Sequence, residues 1–274
     1  MPVSQADKGR AFKALHEKGC FVIPNPWDAG STKLLAAMGF KALATTSAGL
    51  AFAIGKPDGA NAVSRAETLA NAKSIVEATD LPVNADLEDG FGPRPEDAAE
   101  TIRGAAAVGL VGGSIEDSTR SGPAPVYELA RAADRVRAAA EVAHALPYPF
   151  LLVGRAENYL HGRPDLADTI KRLQAYQEAG ADVLYAPGLK TREEVASVVR
   201  AVDRPVNVLL GPGGATVEEL AKLGVRRVSV GGSLYRAAIG GFMRAARELK
   251  ERGTFGFLAD STPHPELNAL FGKR

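Results

Sequence analysis

A (β/α)₈ barrel is the fold class this chain predicts, on three observations. Eight short apolar runs alternate with eight Ala-, Glu-, Arg- and Leu-rich helical stretches in 274 residues. The runs are too short and too apolar to be half-exposed, as in parallel strands buried on both faces. Acidic residues follow several runs directly, at the strand ends where such barrels carry their chemistry. An open doubly wound sheet is the structural competitor, and the count of units favours the barrel.

Strands are expected at 20–24, 41–46, 82–86, 111–116, 150–154, 182–186, 205–210 and 226–231. Helices are expected at 29–38, 64–78, 95–107, 125–144, 165–179, 191–200, 216–223 and 233–251. Met38-Gly39, Val108-Gly109, Ala179-Gly180 and Leu223-Gly224 each precede a strand, and a glycine there ends the helix in the left-handed conformation. The segment 254–274 follows Gly253, carries Pro263 and Pro265, and holds a short apolar helix around Leu267 to Phe271. No composition break divides the chain, so residues 1–274 read as one barrel domain with a C-terminal helical extension. That tail either packs on its own barrel or exchanges with a neighbouring subunit.

Composition narrows the function. Apolar residues make up 46%, enough for a sizeable core, and the formal net charge is +1. That charge gives no electrostatic case for nucleic acid or an anionic membrane surface. No apolar run approaches the ~20 residues of a membrane span, and the stretch from Met1 to Phe12 lacks a signal peptide's apolar core. The single cysteine, Cys20, permits neither an intrachain disulfide nor a cysteine metal cluster. A cytoplasmic location is expected.

The strand ends, taken in order, supply the candidate site. Strand 2 ends in Thr45-Thr46-Ser47-Ala48-Gly49-Leu50, which offers hydroxyls and backbone N–H groups, or simply a tight turn. The loop Gly55-Lys56-Pro57-Asp58-Gly59 carries one acid. Strand 3 runs into Asp86-Leu87-Glu88-Asp89 and a glycine-flanked turn, with a helix starting near Pro95. Strand 4 delivers Glu116 and Asp117. Carboxylates on neighbouring strand tips repel and raise one another's pKa unless a cation intervenes, and Mg²⁺ suits because it takes oxygen ligands and keeps open positions. Strand 5 delivers Arg155, whose planar fork suits a carboxylate or phosphonate of a ligand; its plain alternative is an ion pair with Glu116 or Asp86. His161 is either a general acid–base or a solvated loop residue, and Lys190 reads as a surface lysine at a helix start. Asn207 lies on strand 7. Gly211-Pro212-Gly213-Gly214 and Gly231-Gly232-Ser233 after strands 7 and 8 recur in barrels as a phosphate cradle, or serve only to start the next helix close in.

Together these pieces resemble the isocitrate lyase / phosphoenolpyruvate mutase superfamily. The matching motifs are Ser47-Ala48-Gly49-Leu50, Lys56-Pro57-Asp58-Gly59, Asn84-Ala85-Asp86 through Gly90-Phe91-Gly92, Ser114-Ile115-Glu116-Asp117-Ser118 and Gly154-Arg155-Ala156-Glu157-Asn158. The resemblance implies a barrel whose last helix is swapped between subunits of a homodimer or homotetramer. It implies Mg²⁺ or Mn²⁺, a 2-oxo or 2-hydroxy acid, and C–C or P–C chemistry through an enolate. Asp86 then matches the direct metal ligand, Glu116 a ligand acting through water, and Glu88 an additional acid near the metal. Ser47 with the Ala48 and Gly49 amides matches the carboxylate pocket. Arg155 matches the arginine at the reacting end, Asp58 the acid of the gating loop, and Thr45 and Asn207 pocket-lining positions.

The departures are equally specific. Asn84 stands where the family has its first strand-3 aspartate. Thr119-Arg120-Ser121-Gly122-Pro123 replaces the lyases' cysteine-containing lid, and Pro187 aligns with their strand-6 glutamate. The resemblance therefore implies a Mg-dependent lyase or decarboxylase acting on a small 2-oxo dicarboxylate such as oxaloacetate, not an isocitrate lyase. A phosphonopyruvate-type enzyme and a 2-oxo-acid-binding barrel with little catalysis are the alternatives.

Overall fold

The computed structural model describes residues 3–59, 61–119, 124–211 and 213–272. In chain order the elements are α1 (Gln5–Leu15), β1 (Phe21–Ile23), α2 (Ala29–Ala37), β2 (Leu43–Ala44), α3 (Ser47–Ala53) and α4 (Arg65–Glu77). Then come β3 (Val83–Asp86), α5 (Pro95–Ala107), β4 (Gly112–Glu116), α6 (Leu129–His144), β5 (Leu151–Arg155) and α7 (Leu166–Glu178). The chain closes with β6 (Val183–Tyr185), α8 (Arg192–Ala201), β7 (Val206–Leu209), α9 (Val217–Lys222), β8 (Arg227–Ser229), α10 (Ser233–Arg252), a 3₁₀ turn over Gly256–Asp260, and α11 (His264–Gly272).

All eight strands pair in parallel in the order β1-β8-β7-β6-β5-β4-β3-β2, a nearly closed (β/α)₈ barrel. The seam lies between β1 and β2. There the Ala44 amide donates to the Pro24 carbonyl at 3.0 Å. Asn25 bridges the same gap, its Nδ2 donating to the Thr45 carbonyl at 2.9 Å while its Oδ1 accepts from the Val230 and Gly231 amides.

Alternation along each strand divides the core. Outward residues such as Leu152, Leu184 and Val228 pack with Ile102, Val136, Leu173 and Val198 of the helices. Inward residues Ile23, Ala44, Leu151, Val153, Val183 and Tyr185 fill the barrel, and Phe12 from α1 joins them from the N-terminal end. The helix-ending glycines behave as expected, with φ of 94° at Gly109 and 104° at Gly180.

His16, next to Phe12, is a buried base. Its Nδ1 lies 2.8 Å from the Phe12 carbonyl, and the Phe12 and Phe21 rings stand edge-on to it. Burial first, then the charge of Arg227, lowers its pKa from 6.5 to about 3. Between those values the unfolded chain binds more protons, so the contribution of neutral His16 is complete above about pH 6.5 and fades as pH falls toward about 3. His16→Asn, which keeps a donor for the Phe12 carbonyl, is expected to lessen the stability lost between pH 7 and 4.5 by about 2 kcal/mol. Urea unfolding of both proteins at the two pH values checks this; equal losses would count against it.

The eighth barrel helix is unlike the others. α10 buries none of its twenty residues, and Phe242 and Met243 are exposed. α11 packs on α2. Among the described residues no helix is long and apolar enough to cross a membrane.

Candidate active site

The turn after β3 positions the acids. Glu88, Gly90 and Phe91 all take positive φ (48°, 79° and 62°), a costly arrangement that persists only where the surroundings enforce it. They do so here. The Thr101 hydroxyl donates to the Gly90 carbonyl at 2.7 Å. Arg135, buried under the turn and stacked on the Tyr127 ring, donates to the carbonyls of Asp89, Gly92 and Arg94. A Cβ at Gly90 would come within 2.9 Å of the Ala98 Cα, so close packing of α5 also requires glycine there.

Asp86, the last residue of β3, is thereby fixed from several sides. Its amide donates to Thr45 Oγ1 at 2.9 Å. Its Oδ2 accepts from the Ser47 hydroxyl at 2.9 Å and the Ser47 amide at 3.3 Å, and its Oδ1 from the Glu88 amide at 3.3 Å. Glu116 and Arg155 are register partners at the ends of β4 and β5. Arg155 Nε lies 2.6 Å from Glu157 Oε1 and 3.4 Å from Glu116 Oε2, and its Nη1 lies 3.5 Å from Asp86 Oδ1. The ion-pair alternative for Arg155 is thus realised, but the close contact is with Glu157, and those to Asp86 and Glu116 are long.

Three carboxylates therefore share one guanidinium, leaving negative charge in excess. Burial pushes Glu116 well above the usual carboxylate range, and Glu157, Asp86 and Glu88 push it further while Arg155 pulls it back. Burial acts against the charge of Arg155, but Glu157, Glu116 and Asp86 outweigh it and hold that charge firmly. Asp58, from the loop after α3, is raised by burial and then by Asp86.

Among the described residues no three His, Cys, Asp or Glu side chains converge to hold a metal unaided. Mg²⁺ does not require that, since it keeps several waters and takes one or two carboxylates. Asp86 and Glu116, 17% and 14% exposed, are hard oxygen donors in a site short of positive charge. The residues present fit such a cation.

Beside them lies a small cavity of about 170 Å³, well below the roughly 300–1,000 Å³ of pockets for drug-sized ligands. Its wall includes Thr45, Ser47, Ala48, Asp58, Asp86, Arg155 and Asn207, all expected from the sequence, together with Asn25, Asn84, Ser114, Tyr185, Arg227 and Ser229. Glu88, Glu116 and Gly49 are not in the wall. Glu88 reaches the site through the hydrogen bond that its backbone N–H donates to Asp86 Oδ1, Glu116 lies beside Arg155, and the Gly49 amide donates to Thr46 Oγ1, the N-cap of α3.

Other acids and bases fall elsewhere. Asp117 faces the helix layer, where its carboxylate accepts from the Glu157 amide, Arg172 Nη1 and the Tyr176 phenol. Neighbouring positions on a strand face opposite ways, which separates it from Glu116. His161 is exposed, 3.1 Å from Ser118 Oγ. Lys190 is exposed, and its amide caps α8 through Glu194. The Gly211–Gly214 loop borders a separate hollow with Lys190; Pro212 of that motif and residues 120–123 of the expected lid lie outside the described residues. The sequence reading missed Arg227 as a wall residue, although period-two alternation through Arg227-Val228-Ser229 marks it as inward. It also missed Asn25, set between two prolines.

A parallel barrel whose C-terminal rim gathers carboxylates and one arginine around so small a polar cavity has the form of an enzyme site for a small polar ligand. Comparison with known proteins gives the family. Residues 12–250 match the phosphoenolpyruvate phosphomutase family. An uncharacterized protein of Mycobacterium tuberculosis (strain ATCC 25618 / H37Rv) is 33% identical over 94% of this chain and 95% of its own length. The 2-methylisocitrate lyase of Bacillus subtilis (strain 168) is 26% identical over 90% of this chain and 82% of its own. A crystal structure from Burkholderia cenocepacia J2315, named provisionally as a lyase/mutase, is 54% identical with a TM-score of 0.95, covering 98% of this chain and 97% of that one. The chain belongs to the phosphoenolpyruvate phosphomutase family and is a carbon–carbon lyase-type enzyme of the isocitrate lyase / phosphoenolpyruvate mutase superfamily.

Proposed function

We propose that this enzyme breaks a carbon–carbon bond, by cleavage or decarboxylation, in a small 2-oxo or 2-hydroxy dicarboxylic acid such as oxaloacetate, with Mg²⁺ or Mn²⁺ at Asp86 and Glu116. The observation that carries this reading is the crowding of Asp86, Glu116 and Glu157 on Arg155 at the edge of a cavity of about 170 Å³. When bound, a divalent cation supplies Lewis acidity to the oxygens of a 2-oxo acid. Arg155 faces the same end and stabilises negative charge as the bond's electron pair stays with the keto fragment. Asp58 and Glu88 add to the field that retains a cation, and Ser47 with the Ala48 backbone forms the pocket side that orients the acid; Gly49, its amide taken by Thr46, has no part in it. Thr45 holds Asp86 in place through the Asp86 amide. Tyr185, whose phenol burial pushes up to about 12, keeps its proton at neutral pH and is a proton donor in the cavity wall.

The assay is pyruvate release from oxaloacetate above the spontaneous rate. It is expected to stop on chelation and return with Mg²⁺ or Mn²⁺. Phosphate release from phosphonopyruvate without turnover of oxaloacetate would move the enzyme to P–C chemistry, and binding of 2-oxo acids without any turnover would make it a binding barrel.

We further propose that α10 is exchanged between subunits of a homodimer or homotetramer. Its support is a twenty-residue amphipathic helix with no fully buried residue, which leaves Phe242 and Met243 exposed and meets its own barrel mainly through half-buried residues such as Tyr235 beside Trp27. Light scattering is expected to give a dimer or tetramer, and Phe242→Asp to weaken it; a monomeric native chain would refute the exchange.

A further inference from the structure

Among the described residues, Arg227 is a buried cation without a counter-ion. It opens β8 on the inward face and is 3% exposed. Its Nε donates to Asn207 Oδ1 at 2.9 Å, and its Nη1 has no hydrogen-bond partner. Among the described residues no carboxylate pairs with it, while the acids of the site gather on Arg155. Burial lowers its pKa to about 10, which still leaves it protonated at neutral pH. A lone guanidinium out of water is costly, and its planar fork is shaped for a carboxylate. The groups that act on it are neutral: the Asn207 amide and the Tyr185 phenol. Asn207 Nδ2 donates to Ser229 Oγ at 3.0 Å, so the residue that holds Arg227 is itself held.

We propose that Arg227, oriented by Asn207, is the subsite for the carboxylate of the substrate farthest from Arg155, so that the enzyme selects acids with two carboxylates over those with one. This rests on the small-acid reading above and assigns the second carboxylate its place. The cavity then has two ends of different character. Asp86 and Arg155 take the reacting end, and an unneutralised cation takes the other. A carboxylate suits this end better than a phosphonate, because a single guanidinium balances one negative charge and not two.

The test is calorimetric binding of lactate and malate, which share the 2-hydroxy acid end and differ in the second carboxylate. The native enzyme is expected to prefer malate by at least about tenfold, the scale of one charge-assisted contact. Arg227→Met is expected to bind the two alike, with lactate affinity little changed, and to melt higher than the native enzyme without ligand, because the unpaired charge is gone. Arg227→Lys is expected to retain part of the preference. Asn207→Asp, which supplies an internal counter-ion, is expected to abolish it and keeps the question open to test if Arg227→Met fails to fold. Equal binding of lactate and malate by the native enzyme, or a preference that survives in Arg227→Met, overturns the assignment. Calorimetry reads binding whether or not a bond breaks. An enzyme that turns over oxaloacetate but ignores the second carboxylate fails this inference alone, and one that prefers malate without turning anything over fails the lyase reading alone.

Discussion

Alanine at position 86 is expected to lower metal-dependent kcat/KM by about 10³-fold or more, the scale seen when a principal electrostatic group leaves an active site. Asp86 is where the most contacts converge: the Ser47 hydroxyl and amide, the Glu88 amide and Arg155 all reach its carboxylate. Removing it withdraws an oxygen donor for the cation and frees Ser47 to rotate. Because Asp86 is partly accessible and its loss relieves crowding among acids, the fold should survive, which circular dichroism and melting would verify. Mg²⁺ titration calorimetry is expected to show weakened binding in the same variant. Native-like turnover with Asp86→Ala would remove the foundation of the proposed reaction.

Arg155→Met is expected to affect stability as well as activity. Arg155 is the only cation that the described ion pairs give to Glu116 and Glu157, both largely buried. Taking one partner from such a cluster typically costs about 3–5 kcal/mol, because the remaining charges stay out of water unpaired. The variant should therefore melt well below the native enzyme without metal and recover more than the native enzyme does when Mg²⁺ is added, since the cation then replaces the missing charge. Activity should not recover with stability, because Arg155 also faces the reacting end of the cavity. Arg155→Lys should restore part of the stability and little of the rate, as an ammonium lacks the fork. Melting curves with and without Mg²⁺, read beside kcat, separate these effects; a variant as stable and active as the native enzyme would show that Arg155 is a bystander.

Much of this was legible in the sequence because burial sets simple patterns. Strands covered on both faces read as apolar runs, and α5 spans Pro95–Ala107 as expected because proline starts it and Gly109 ends it. The rim acids were legible for the opposite reason, since charge at a buried strand end needs an explanation. α1 was not legible: its exposed face is polar, and it is placed by Phe12 entering the barrel interior, a tertiary contact with no local signature. α3 was hidden because Ser47–Ala53 is too short to show a period; Thr46 caps it, and Leu50 and Ala51 bury. Arg227 escaped because attention to strand ends passes over strand beginnings. Two arginines lie side by side there, and only the inward one, Arg227, meets the cavity.

The β1–β2 seam has a mechanical consequence. Neighbouring strands elsewhere share a ladder, but among the described residues this hoop is fastened by one main-chain bond and the Asn25 clasp. Asn25 and Thr45 are also part of the cavity wall. Local opening favours the least fastened stretch of a structure, so activity is expected to fade on warming before helical circular dichroism does; coincident loss of the two would show that the seam holds as firmly as the rest.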